Sequence, residues 1–241
     1  MPKQDRPGAH VLHTDMHMHI LPGLDDGAVR MEESVMLVKA LSALGYKKCI
    51  CTPHIQTSVY LNTPENIYAA CSALRSVLDA EQIEMEIQGA AEYYIDDDFA
   101  DQHPGFTGLL TLRENWILVE TGLHVRSAAF DRTLFDMQLA GFQPVLAHPE
   151  RYAWMFEKQD LSVAAQYREA GIIFQTNIMS FSGLYGEGPK KYARKLADAG
   201  YIDLLGTDLH NARQLPFLEN ALRDKYVLKL IRSQLLKNAK L

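Results

Sequence analysis

Cysteine is scarce in this sequence, and long apolar runs are missing. The three cysteines, Cys49, Cys51 and Cys71, are an odd number without a disulfide framework, which favours a reducing compartment. No apolar run approaches the ~18 residues of a membrane-spanning helix. The first ten residues, MPKQDRPGAH, lack the apolar segment of a signal peptide. These absences predict a cytoplasmic protein without stable membrane insertion.

Positive charge is also in short supply. The chain has 24 Lys and Arg against 30 Asp and Glu, which gives a formal net charge of −6. Because no global positive field is available, a nucleic-acid partner is not expected. An anionic substrate remains compatible with this charge if bound metal ions supply positive charge locally.

The apolar residues, 47% of the chain, are grouped in short segments typical of buried strands. Amphipathic helical segments lie between most of them, and several end at a glycine, such as Gly45, Gly141 and Gly200. The strands begin near residues 14, 48, 85, 116, 143, 172 and 203. This rhythm of βα units predicts the α/β class and a closed or nearly closed parallel barrel, with an open doubly wound sheet as the alternative. We expect one domain over residues 14–241 after an N-terminal extension over residues 1–13.

Each predicted strand ends on a polar residue able to do chemistry. In chain order these residues are His17 and His19, His54, Glu92, Glu120, His148, Asn177, and Asp208 with His210. The C-terminal ends of the strands of a βα barrel meet on one face, where active sites lie. Neutral imidazole and ionised carboxylate are the usual ligands for Zn, Mn and Fe. The sequence therefore predicts a metal site at this face, to which Asp25 or Asp26 of the first loop would add a carboxylate.

Each of these residues alone has a simpler interpretation. A single histidine at a strand end is often a hydrogen-bonded structural group, and Asp-Asp-Gly is ordinary turn chemistry. The whole constellation is harder to explain in that way, and its nine groups exceed the three or four ligands of one ion. Nine groups fit two or three divalent ions with a bridging carboxylate, which suits phosphate-ester hydrolysis.

Seven stretches of the chain carry a family resemblance. The sequence resembles the polymerase and histidinol phosphatase (PHP) superfamily, and within it the bacterial protein-tyrosine phosphatases of capsule and exopolysaccharide loci. The matching stretches are DMHMHILPGLDDGA, GYKKCICTPHI, NTPENI, AAEYYIDDDF, PVLAHPERY, FQTN and GTDLHN. The resemblance implies a distorted (β/α)7 TIM-like barrel of the PHP type that carries three divalent ions, usually Mn, with Fe, Zn or Mg as alternatives.

The resemblance also implies roles for single residues. One ion would be held by His17, His19, Glu92 and Asp208; a second by Glu92, Glu120 and His148; and a third by His54, His210 and an aspartate, for which spacing favours Asp26 over Asp25. Arg151 matches a family arginine that contacts phosphate, and Arg213 is the candidate for a second one. The implied reaction is attack of a metal-bridging hydroxide on a phosphotyrosine protein, in particular the C-terminal tail of a bacterial tyrosine kinase.

Other mechanisms and functions are distinguished by particular residues. A cysteine-dependent phosphatase needs an arginine six positions after its cysteine, where Cys49, Cys51 and Cys71 are followed by Ile55, Thr57 and Val77. A histidinol-phosphate or other small-molecule phosphatase would share the whole metal site. An amidohydrolase-like hydrolase or an inactive metal-binding protein is a further alternative. Aromatic residues near the strand ends that could stack on an aryl ring are Tyr93, Tyr94, Tyr152, Trp154, Phe181 and Tyr185.

Overall fold

Parallel strands alternate with helices along most of the described chain. The computed structural model describes residues 12–158 and 160–241, so most of the expected extension at residues 1–13 lies outside the described residues. The strands are β1 (Thr14–Asp15), β2 (Lys48–Cys51), β3 (His54–Ile55), β4 (Glu86–Gly89), β5 (Glu92–Tyr94), β6 (Trp116–Glu120), β7 (Gln143–Ala147), β8 (Ile173–Asn177) and β9 (Leu204–Gly206). The α/β class and all seven predicted strand positions are confirmed.

The longer helices fall on the predicted amphipathic segments, and a few short helices that the pattern does not predict lie in the loops. They are α1 (Met31–Ala43), α2 (Pro64–Ala80), α3 (Phe99–Gln102), α4 (Phe130–Leu139), α5 (Ala153–Phe156), α6 (Ser162–Glu169), α7 (Glu187–Asp198), α8 (Leu215–Ala221) and α9 (Lys225–Arg232). Helix α2 begins with Pro64 in its first turn and is capped by Thr63, whose hydroxyl and backbone N–H both pair with Asn66. Gly141 follows α4 with φ +90°, a left-handed conformation that glycine adopts without strain. None of the helices in the described residues is both long and apolar enough to cross a membrane.

The strands lie in two parallel sheets rather than in one closed barrel. One sheet has the order β1-β2-β4 and the other the order β3-β5-β6-β7-β8-β9. The second and third predicted strands are each divided, so that β2 and β4 belong to the first sheet while β3 and β5 belong to the second. Pro53 lies in the first of these breaks, where it has no N–H to donate to a ladder. A closed TIM-like barrel is therefore not confirmed.

The strand side chains pack on two sides of the sheets. A small inner cluster takes residues from both sheets, namely Met16, Ile50, Ala90, Leu112, Leu118, Val145, Ala147, Ile173 and Leu204. The larger core lies between the strands and the helices; on β7, Leu146 points into it while Val145 and Ala147 point into the inner cluster. This alternation follows the two-residue period of a strand. The polar residues lie beyond this apolar packing, at the C-terminal ends of the strands.

Candidate metal centre

The carboxylate of Glu92 lies at the centre of a group of histidines. Its Oε2 is 3.0 Å from His17 Nε2, 3.3 Å from His19 Nε2 and 3.3 Å from His54 Nδ1. Its Oε1 is 3.1 Å from His148 Nε2. Glu92, His17 and His19 are fully buried. Histidines from the ends of three separate predicted strands thus converge on one buried carboxylate.

Asp208 forms a second centre of contact beside Glu92. Its Oδ1 is 3.5 Å from His17 Nε2, 3.4 Å from His19 Nε2 and 3.5 Å from His210 Nδ1. This buried oxygen has no hydrogen-bond partner among the described residues. Because an unpaired buried carboxylate oxygen among imidazole nitrogens is costly, the arrangement suits a bound cation.

Glu120 lies at the edge of the cluster, closer to the cavity. Its Oε1 is 2.9 Å from His54 Nδ1 and its Oε2 is 3.7 Å from His148 Nε2. Glu120 thereby joins two histidines that also contact Glu92.

The structure gives the two adjacent aspartates different positions. The buried Asp25 accepts from the backbone N–H of His54 at 3.1 Å, and its Oδ2 is 2.7 Å from His19 Nδ1, the ring nitrogen that faces away from Glu92. Asp26 is half-exposed, and its Oδ1 is 3.4 Å from His210 Nε2 and 3.6 Å from His54 Nε2. Asp26 therefore has the geometry of a ligand, whereas Asp25 holds the candidate ligand His19 from the side opposite Glu92.

Four groups of side chains bring donor atoms close enough to share an ion. They are His17, His19 and Asp208; His19, Asp26, His54 and His210; His17, Glu92 and His148; and His54, Glu92 and Glu120. The first two groups contain most of the first and all of the third expected ligand sets. The expected second set, Glu92, Glu120 and His148, is divided between the last two groups, in which His17 and His54 also take part.

The pKa values of these groups follow from their mutual contacts. Burial alone would raise the pKa of Glu92, but His17, His54 and the hydrogen bond from His148 hold it well below its usual range. The pKa of Asp208 is lowered well below its usual range against the same burial, chiefly by His17. A hydrogen bond from His210 lowers the pKa of Asp26 to about 2. Glu92, Asp208 and Asp26 are therefore ionised at neutral pH, as carboxylate ligands of a metal must be.

Two of the candidate ligands have a left-handed backbone conformation. His148 has φ +35° and Asp208 has φ +55°, left-handed values that are uncommon for residues other than glycine. His148 directly follows β7 and Asp208 lies two positions after β9, and both turn their side chains into the cluster. A strained backbone conformation persists only where the surrounding structure enforces it, and such conformations are found most often at functional sites.

A cavity of about 570 Å³ opens above the cluster. It is lined by Asp26, His54, Gln56, Tyr94, Glu120, Thr121, Gly122, Leu123, His148, Arg151, Tyr185, Asp208, His210, Asn211 and Gln214. Arg151 Nη1 donates to Asp208 Oδ2 at 2.7 Å, and its guanidinium carbon lies 4.3 Å from the centre of the Tyr185 ring. Arg151 thus presents a cation at the floor of the cavity, next to the candidate ligands.

The structure does not bring Arg213 to this cavity. Its side chain is exposed, and it is absent from the described residues that form the lining, to which its neighbour Gln214 does belong. Of the aromatic candidates, Tyr94 and Tyr185 line the cavity, whereas Tyr93, Tyr152 and Phe181 are core residues. Trp154 donates to the carbonyl of Gly122.

One buried residue at the site had not been singled out from the sequence. Gln175 is fully buried on β8, and its Oε1 lies 2.8 Å from His17 Nδ1. It precedes Asn177 by two positions and therefore shares its face of the strand. This period of two, applied to FQTN, would have identified it.

Comparisons with known proteins point to one family. The sequence profile of the family described as "Capsular polysaccharide synthesis, CpsB/CapC" matches residues 13–240. The tyrosine-protein phosphatase YwqE of Bacillus subtilis (strain 168) is 31% identical over 205 residues, which cover 84% of this chain and 79% of YwqE. The tyrosine-protein phosphatase CpsB of Streptococcus pneumoniae is 25% identical over 208 residues, which cover 84% of each chain.

A solved structure gives the same result for the fold. It comes from a study of YwqE from Bacillus subtilis and CpsB from Streptococcus pneumoniae, described as unique metal-dependent tyrosine phosphatases. The match has a TM-score of 0.80 and 27% identity, and covers 93% of this chain and 94% of the other. The expected resemblance to phosphatases of capsule loci is confirmed, and the chain belongs to the CpsB/CapC family.

Proposed function

We propose that the protein is a metal-dependent protein-tyrosine phosphatase, which hydrolyses the phosphomonoester of phosphotyrosine. The observation that carries this proposal is the cluster of five histidines and four carboxylates, buried except at Asp26, His54 and His210, next to Arg151 at the floor of an open cavity. Its relatives YwqE and CpsB are named as tyrosine-protein phosphatases.

The donor set fits divalent ions. Imidazole and carboxylate are the ligands that Mn, Fe and Zn share, and the unpaired Oδ1 of Asp208 faces three imidazoles. The residues that would hold the ions are His17, His19, Asp26, His54, Glu92, Glu120, His148, Asp208 and His210. We propose three ions, with Mn as the metal and Fe, Zn or Mg as alternatives. Such ions lower the pKa of a bound water and offset charge on phosphoryl oxygens.

Arg151 has the geometry for holding the phosphate. One of its nitrogens pairs with Asp208, and a guanidinium has further N–H donors in a planar fork that matches two phosphoryl oxygens. Tyr185 fixes the plane of that fork by stacking against it. The side chain of Arg151 would therefore orient the phosphoryl group and stabilise the charge that develops on it.

The shape of the site supports a long aromatic substrate. Glu92 and Asp208 are buried, while Tyr94 and Leu123 line the cavity above them. A phosphotyrosine side chain reaches further from its backbone than phosphoserine or phosphothreonine, and an aromatic lining offers its ring a contact surface. A substrate protein would thereby reach the cluster without unfolding.

We further propose that the two sheets act together as one distorted seven-stranded barrel within a single domain over residues 14–241. The open edges approach each other where Met18 bridges to Leu209 in parallel. His19 N–H donates to Leu209 O at 2.9 Å, and Asp208 N–H donates to His17 O at 2.7 Å. The inner apolar cluster, which takes residues from both sheets, also supports this closure.

The physiological substrate we propose is the tyrosine-bearing C-terminal tail of a bacterial tyrosine kinase that acts in capsule or exopolysaccharide export. The family description, capsular polysaccharide synthesis, supports this pathway. We place the reaction in the cytoplasm, where the free thiols of Cys49, Cys51 and Cys71 would remain reduced.

A substrate comparison tests the assignment. At fixed Mn²⁺, kcat/KM is measured for phosphotyrosine, phosphoserine and phosphothreonine peptides and for histidinol phosphate. We expect phosphotyrosine peptides to lead by at least ~10-fold, about 1.4 kcal/mol of transition-state discrimination. If histidinol phosphate led, the metal site would stand but the tyrosine-phosphatase assignment would be wrong.

A further inference from the structure

Two buried amides on β8 connect two of the candidate ligands. Gln175 Oε1 lies 2.8 Å from His17 Nδ1, and Gln175 Nε2 donates to Asn177 Oδ1 at 2.9 Å. Asn177 Nδ2 then donates to Asp208 Oδ2 at 2.6 Å. Both amide residues are fully buried, so water does not replace these bonds. A continuous chain of three hydrogen bonds therefore runs from His17 to Asp208.

The direction of this chain is fixed by its end at Asp208. An ionised carboxylate can only accept hydrogen bonds, so Asn177 must turn its NH₂ group toward Asp208. The carbonyl oxygen of Asn177 then faces Gln175 and can only accept, so Gln175 must donate to it from its own NH₂ group. Gln175 is left with its carbonyl oxygen toward His17, and the backbone N–H of His148 donates to the same oxygen at 3.3 Å.

This polarity determines the tautomer of His17. Since Gln175 Oε1 can only accept, the proton of the neutral imidazole resides on Nδ1 and the lone pair on Nε2. Nε2 is the atom that lies 3.0 Å from Glu92 Oε2 and 3.5 Å from Asp208 Oδ1. The lone pair thus points to the place where the carboxylates converge.

The other end of this chain of hydrogen bonds fixes the orientation of the Asp208 carboxylate. Its Oδ2 accepts from Asn177, from Arg151 at 2.7 Å and from the Tyr185 hydroxyl at 3.2 Å. Three donors on one oxygen pin the carboxylate so that Oδ1 turns toward the histidines.

We propose that Gln175 and Asn177 are positioning residues: a buried amide relay of fixed polarity that presents the His17 Nε2 lone pair and Asp208 Oδ1 to one metal ion. The inference rests on the proposed function, because it concerns the same metal centre. It assigns these two side chains a task that a purely apolar packing pair on β8 could not perform.

Calorimetric titration of the metal-free full chain with Mn²⁺ tests the relay. Gln175→Met keeps the length of the side chain and Asn177→Leu keeps its branching, but both remove the amide, and each should weaken Mn²⁺ binding by about 10- to 100-fold. Thr176→Val is the matched control, because Thr176 lies between them on β8, equally buried, and its hydroxyl has no hydrogen-bond partner among the described residues. The control should bind Mn²⁺ within about 2-fold of wild type, since an unpaired hydroxyl contributes little. Wild-type Mn²⁺ affinity in both amide variants would overturn the relay.

A second measurement, of the His17 tautomer, uses the wild-type chain and therefore does not depend on whether the Gln175 and Asn177 variants fold. The wild-type chain, labelled with ¹⁵N-histidine and loaded with diamagnetic Zn²⁺, reports the protonated nitrogen of each imidazole, and a His17→Gln sample assigns the signal. We expect the His17 proton on Nδ1; a proton on Nε2 overturns the relay alone. A wild-type chain that neither binds Mn²⁺ nor hydrolyses phosphoesters would instead overturn the proposed function.

Discussion

Replacing Arg151 by alanine removes the cation that we assign to phosphate binding. In the structure its hydrogen bond to Asp208 occupies Nη1, which leaves the rest of the fork for two phosphoryl oxygens. A hydrogen bond to a charged group contributes about 1.5–3 kcal/mol, so the loss of two corresponds to about 3–6 kcal/mol. We expect kcat/KM for a phosphotyrosine peptide to fall by about 10²- to 10⁴-fold. Arg151→Lys keeps the charge without the fork and should fall between wild type and Arg151→Ala.

The fold should tolerate the alanine variant. Asp208 Oδ2 retains its donors from Asn177 and Tyr185, so the carboxylate stays paired and Mn²⁺ content should be unchanged. Arg213→Ala is the matched control: its side chain is exposed outside the cavity lining, and kcat/KM should stay within about 2-fold. A kcat/KM of Arg151→Ala within 3-fold of wild type, measured at equal metal content, would refute the assignment, and a large loss in Arg213→Ala would show that the loop after β9 also supplies a phosphate ligand.

Three further perturbations follow from individual contacts. Alanine at all three cysteine positions should leave kcat within a few-fold of wild type, and alkylation of the folded wild-type chain should not inactivate it, because the thiols are buried and do not line the cavity. A phosphocysteine trapped by rapid quench would contradict this. Asp26→Ala should weaken Mn²⁺ binding by removing one donor near His54 and His210, with elemental analysis showing fewer ions than in wild type; unchanged ion content would exclude Asp26 as a ligand. Thr63→Ala removes the cap of α2 and should lower the free energy of unfolding by about 1 kcal/mol without changing kcat; equal denaturation midpoints would show that the cap contributes nothing.

The positions of the strands, and the polar residues at their C-terminal ends, could be predicted from the sequence for a physical reason. A buried parallel strand is a short apolar run, and polar residues just after it mark its C-terminal end, as His148 does after β7 and Thr207 and Asp208 do after β9. Parallel topology then places these ends together, so Glu92, His17 and His148 could be expected to meet although 131 positions separate the first and last of them.

Other features depend on tertiary contacts that the linear pattern does not contain. The division of the second strand at Pro53 leaves its apolar pattern almost unchanged, so two sheets look like one. Asp25 and Asp26 are adjacent residues with the same side chain, so the sequence cannot distinguish their roles. Only the loop geometry places Asp25 against His19 Nδ1 and Asp26 against His210 Nε2. The spacing of Arg213 after the last histidine did not reveal that its side chain is exposed.

The central claim is that hydrolysis depends on ions held by the nine clustered side chains. The most direct measurement is elemental analysis of the purified full chain, paired with aryl-phosphate turnover before and after chelation. We expect about two to three divalent ions per chain, loss of turnover when they are removed, and recovery when Mn²⁺ is returned. Fewer than one bound ion per chain in a preparation with full activity would contradict the account.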